Sequence, residues 1–150
     1  MTKKLKWQLG ISFFILVLGT LWHFIYSTYP SAFTAFIAPT SESPWQHLKL
    51  LYWPAMLGLL IAFIFLKERR QYLAWSAFGA IISGCVFIIL FFFFLEALVG
   101  HYFFLDIVNF VLASFLTGFL FINWVFEGKF KGYGILVTLL FFSFFFYYLP

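Results

Sequence analysis

The sequence predicts an all-α integral membrane protein, a bundle of five transmembrane helices with its N-terminus cytoplasmic and its C-terminus extracytoplasmic. Three observations carry that prediction. The chain is 65 % hydrophobic and 9 % charged with a mean hydropathy of +1.04, leaving too few polar side chains to cover a water-facing body of 150 residues. Its apolar residues form runs near the ~20 residues that a helix needs to cross the ~30 Å hydrocarbon core of a bilayer. Its basic residues gather at alternate ends of those runs. The same composition excludes a disordered chain, a disulfide scaffold and a nucleic-acid binder. There are 26 Phe against 9 Lys and Arg, and the one cysteine, Cys85, has no partner for a bridge within the chain.

In chain order the expected spans are Trp7–Ser27, Pro44–Leu66, Tyr72–Leu98, Phe103–Phe126 and Tyr133–Leu149, together one domain. They are apolar on every face, whereas the strands of a membrane barrel alternate. The first span follows Lys3, Lys4 and Lys6 as a signal peptide would. It carries Trp22 and His23 and no small-residue cleavage site, so it reads as a retained anchor.

The second span opens at Ser43-Pro44-Trp45-Gln46, which has the form of a capping box: Ser43 accepting from the Gln46 N–H, Gln46 reaching back, and Pro44 where no donor is needed. Pro54 removes the donor of the Leu50 carbonyl and should bend this helix. The third span carries Ser76, Gly79, Ala80, Ser83 and Gly84 at helical spacing. Such a face admits another helix closely, whether from the same bundle, a second copy or a partner membrane subunit.

Lys67, Arg69 and Arg70 follow the second span and Lys129 and Lys131 the fourth, on the same side as the N-terminal lysines. Only Lys49 falls opposite, and the positive-inside rule then sets the orientation. The connection Thr28–Ser43 holds no Lys or Arg but places Phe33, Phe36 and Ile37 on one helical face. It suits a short helix in the outer interface or a re-entrant segment lining a cavity.

The remaining ionisable residues are unevenly placed. Glu68 and Glu127 sit beside basic residues, while His23, Glu42, His47, Glu96, His101 and Asp106 all fall at the opposite end. His23 lies roughly 24 Å up the first span, and Asp106 about 6 to 8 Å below the outer end of the fourth, with Asn109 one turn deeper on the same face. Helix ends are wet, so Glu42, Glu96 and His101 taken singly read as solvated caps, Glu42 at a dipole end that welcomes a carboxylate. His23 and Asp106 lie inside apolar runs, where a polar group is costly and marks a site.

Three chemistries could use this set. Zinc wants about three His or carboxylate ligands and an open position for water: His23, His47 and Asp106 would hold it, with Glu42 as general base. Proton-linked transport wants carboxylates and His at graded depth, with Asp106 and His23 titrating. A lipid head group would suit Glu42, His47 and Lys49 at a helix N-terminus, with Trp45, Glu96, His101 and Asn109 completing a binding surface. No phosphate loop, HExxH pair or GxSxG elbow is present.

The stretch from Ala38 to Leu51 resembles a family of small bacterial multi-pass membrane proteins known only as a domain of unknown function. The likeness covers nearly the whole chain. It rests on His23-Phe24-Ile25-Tyr26, on Glu42-Ser43-Pro44-Trp45-Gln46-His47-Leu48-Lys49 and on Leu105-Asp106-Ile107. Ser41 stands where members often have Asn, Gln46 where Glu is common, and members often carry an outer Pro-rich tail beyond the last span. The resemblance implies a bacterial cytoplasmic membrane and a shortlist of His23, Glu42, Trp45, His47, Lys49 and Asp106, but no reaction. A site-bearing membrane protein binding a cation or lipid head group, with a metal-assisted hydrolase as its sharpest form, therefore stands beside a small transporter and an accessory subunit.

Overall fold

A segment apolar on all faces can satisfy its own backbone N–H and C=O groups within lipid only as a helix. The computed structural model, which describes residues 1–132, has that form. Four long helices appear: α1 Lys3–Trp22, α4 Pro44–Phe65, α5 Arg70–Val99 and α6 Phe103–Glu127. Two short ones, α2 Ile25–Thr28 and α3 Ala32–Ile37, lie between α1 and α4, and a 3-10 turn, Lys67–Arg69, joins α4 to α5. There is no strand among the described residues. With α2 counted as the continuation of α1, four helices are long and apolar enough to cross a membrane. The fifth expected span, Tyr133–Leu149, lies outside the described residues.

Around the bundle the order is α1, α4, α5, α6, so that α6 closes the ring against both α5 and α1. Gly100, at φ 82, turns the chain between α5 and α6 in a connection that only glycine enters without strain. Small residues set the helix contacts. A Cβ on Gly118 would strike the backbone of Ser12, one on Gly84 would strike Thr117 and Leu51, and one on Gly79 would come within 2.9 Å of the Trp124 ring. Lipid tails are as apolar as leucine, so close backbone approach is what holds such helices together. The small-residue face of α5 is thus taken by α6 of the same chain.

Pro54 lies inside α4, which runs on through it from Pro44 to Phe65. The Leu50 carbonyl is turned toward Gly19 of α1, where any side chain would collide with it and with Phe110.

The end holding the N-terminus is fastened by cations on helix C-termini. Arg69 Nη1 donates to the Val125 and Phe126 carbonyls of α6 at 3.1 and 2.9 Å, and Arg70 Nε donates to the Phe63 carbonyl of α4 at 2.8 Å. Each guanidinium also lies 4.6 Å from a ring centroid, Phe126 or Phe63. Lys129 and Lys4 reach Glu127 at 2.9 and 3.9 Å.

Two local expectations are corrected. The first span is not one helix to Ser27: α1 ends at Trp22, the Phe24 N–H takes the Leu21 carbonyl in a tighter turn, and α2 restarts at Ile25. The capping box expected at Ser43 is also absent, for the Ser43 side chain makes no capping bond. Its carbonyl instead accepts from His47 Nδ1 at 2.8 Å, a ring donor that reaches back one turn. A capping box does form one helix earlier, with Ser31 Oγ accepting from the Thr34 N–H and Thr34 Oγ1 from the Ser31 N–H.

The packing yields an internally controlled prediction. Gly118→Leu would force α1 and α6 apart and should cost more than the ~1–3 kcal/mol of ordinary overpacking. Gly10→Ala, with nothing within 4 Å of the added methyl, should leave stability unchanged or raise it by up to about 1 kcal/mol. Thermal unfolding in detergent checks both.

Candidate functional site

The polar end of the bundle is organised by the segment between α1 and α4. Trp22 Nε1 donates to the Ile37 carbonyl at 2.9 Å, and Lys49 Nζ, on a side chain only 3 % exposed, donates to the Ala35 carbonyl at 2.8 Å. Both bonds satisfy carbonyls of α3, and a cation there complements the helix dipole. Phe36 packs edge-on against Trp53 at 5.4 Å. So tied, the strap returns across the helix ends and delivers Glu42 beside His23, the cap of α1, and His47, in the first turn of α4.

Glu42 Oε2 lies 3.5 Å from His23 Nε2 and 3.4 Å from His47 Nε2. One ligand atom from each of the three residues lies within 4.8 Å of the others, close enough to hold a metal ion. The Ser43 carbonyl can only accept, so Nδ1 of His47 carries a hydrogen, and in the neutral imidazole Nε2 is then a bare lone pair. That lone pair faces a carboxylate oxygen. Two acceptors at this separation repel unless a proton or a cation lies between them.

A second pair stands across a small cavity. His101 Nε2 is 3.7 Å from Asp106 Oδ2, and one turn along α6 Asn109 Nδ2 donates to the Ile88 carbonyl of α5 at 2.9 Å. The cavity, about 30 Å³, has Glu42 and His47 on one wall, Asp106 and Asn109 on the other, and Ile88 and Phe110 among its apolar lining. An adjoining pocket of about 10 Å³, at the connection from α5 to α6, is lined by Glu96, His101, Asp106 and Asn109. Glu42 and His47 of the first set and Asp106 and Asn109 of the second therefore line one cavity.

The family of unknown function DUF6512 matches the chain over residues 1–149. The chain belongs to DUF6512. No curated protein and no solved structure matches it.

Within this DUF6512 chain the site residues divide differently from expectation. Glu42, expected as a base, joins His23 and His47 as a third ligand-type atom, whereas Asp106, expected as a ligand beside those histidines, pairs with His101. Lys49 is directed into the strap and Trp45 is 37 % exposed; neither lines the two cavities. Glu96, His101 and Asn109 do converge with Asp106. The backbone carbonyls of Ser43 and Ile88, which orient His47 and Asn109, were invisible in the sequence, since no side chain advertises a carbonyl's direction.

Removing the Lys49 amine should free the strap. Lys49→Met leaves the Ala35 carbonyl without its partner, a loss of about 1–3 kcal/mol, and limited proteolysis should cut between residues 29 and 43 sooner than in the wild type.

Proposed function

We propose that this DUF6512 protein is a multi-pass protein of the bacterial cytoplasmic membrane carrying a zinc site at its extracytoplasmic end, and that it is a metal-assisted hydrolase. The observation that carries the reading is the meeting of two imidazole nitrogens and a carboxylate oxygen, His47 with its Nδ1 hydrogen committed to the Ser43 carbonyl. A ring fixed through its other nitrogen is how proteins ready a histidine for a metal. Two His and one carboxylate make a common three-ligand zinc set that leaves a position open.

Zinc held there supplies Lewis acidity and an activated water. The chain's own residues do the rest. Glu42 is 76 % exposed at its side chain, so the group is approached from outside the bundle. The cavity behind it, at about 30 Å³, exceeds the about 10–15 Å³ that one water requires but does not admit a lipid head group. A scissile ester or amide would accordingly be presented from the open side, at the membrane surface, with Asp106 and Asn109 ordering water across the cavity.

The orientation rests on charge. Lys3, Lys4, Lys6, Lys67, Arg69, Arg70, Lys129 and Lys131 share the end opposite the site.

Two measurements test the proposal. Elemental analysis of untagged, detergent-purified protein should find zinc, and His47→Ala should hold about one ion per chain fewer; equal metal in a well-folded variant overturns the site. For orientation, Cys85 is buried and silent, so Thr40→Cys should react with an impermeant maleimide on intact cells while Lys67→Cys should not. The reverse pattern would put the site on the cytoplasmic face.

A further inference from the structure

Asn109 is an unusual residue to find 3 % exposed in an apolar helix. Its amide nitrogen is used, donating to the Ile88 carbonyl, and its Oδ1 is buried with no hydrogen-bond partner. Turning the amide over would set Oδ1 against that carbonyl, so the orientation is fixed by the bond it makes. An orphaned buried acceptor costs about 1–3 kcal/mol and persists where something else satisfies it.

What surrounds it says what that is. Asn109 lines both the larger cavity and the smaller pocket adjoining it, and Asp106 lines both as well. The smaller pocket, at about 10 Å³, is close to the size of a single ion or water. Its polar lining is Glu96, His101, Asp106 and the Asn109 amide, and the carboxylate of Glu42 stands across the adjoining cavity. No lysine or arginine lines either space, and the amine at this end, Lys49, is committed to Ala35. Three carboxylates therefore surround two small cavities with only imidazoles to balance them. Excess negative charge, a neutral oxygen acceptor and an imidazole nitrogen together are a ligand set for a divalent cation.

We propose that His101, Asp106 and Asn109 form a second divalent-cation subsite, with Glu96 at its rim, next to the His23, Glu42 and His47 group. The pairing of two ions in one centre rests on the metal reading of that group; the subsite has its own ligands. Asp106 and the Asn109 Oδ1 come from one face of α6, one turn apart, and His101 comes from the turn that precedes the helix. Two cations on either side of a water-sized cavity would supply Lewis acidity to the water held there, which suits hydrolysis of an ester presented from the open side.

The test is zinc stoichiometry by equilibrium dialysis of the full chain, followed by elemental analysis, in the wild type, Asp106→Asn, His101→Ala and His47→Ala. His101 is exposed, so His101→Ala keeps the test alive if Asp106→Asn fails to fold. Wild type should hold about two zinc ions per chain, and Asp106→Asn and His101→Ala should each hold about one, which a further His47→Ala removes. Folded Asp106→Asn and His101→Ala proteins that bind as much zinc as the wild type would overturn the subsite. So would a single wild-type ion abolished equally by the His47 and His101 changes, which would mean one shared ion. Loss at Asp106 and His101 but not at His47 would keep the subsite and remove the His23 group instead.

Discussion

Everything at the polar end depends on how closely the helices approach one another along their length. α1 and α6 meet where Gly118 lies on the backbone of Ser12, α5 and α6 where Gly84 lies against Thr117, and α1 and α4 where Gly19 faces the Leu50 carbonyl. For helices apolar enough to cross a membrane, a looser hydrophobic seam would not replace these contacts, because lipid tails would be as favourable to an apolar side chain as the bundle inside. Once these points are set, the rotation of each helix follows, and with it the placing of His47 and Asp106 on one cavity and of His23 beside Glu42. A few missing side chains thus aim several present ones.

The strap between α1 and α4 adds a second constraint. Buried Lys49 and half-buried Trp22 both donate to α3 carbonyls, so a segment with few apolar anchors is held by hydrogen bonds in a low-dielectric setting, where such bonds are strong. Glu42 belongs to that strap while its partners belong to the bundle. The carboxylate therefore owes its place to the bonds of the strap, and the two rings owe theirs to the helices.

Much of this was legible in the residues alone. All-apolar runs of near membrane length announced the four described helices, and the clustering of Lys and Arg put those charges at one end without saying that Arg69 and Arg70 would bind helix carbonyls there. The segregation of His23, Glu42, His47, Glu96, His101 and Asp106 announced a polar end. What could not be read was phase. In a helix apolar all round, nothing marks the inward face, so the preference of Glu42 for the two histidines and of Asp106 for His101 stayed hidden. Lys49 misled for a similar reason: a lysine one turn into a helix looks like a head-group ligand unless the strap that covers it is known. The capping box was misplaced because His47 could offer the Ser43 carbonyl a ring donor, a competition that no local pattern encodes.

Arg69 and Arg70 have a further consequence. Their guanidiniums end on the carbonyls of α6 and α4 and over the rings of Phe126 and Phe63. Arg70 ties α5 to α4 within their own hairpin, whereas Arg69 finds its carbonyls only on α6. The turn between α4 and α5 is thus a clasp with two sides, one closed by the hairpin itself and the other only by the last of the described helices.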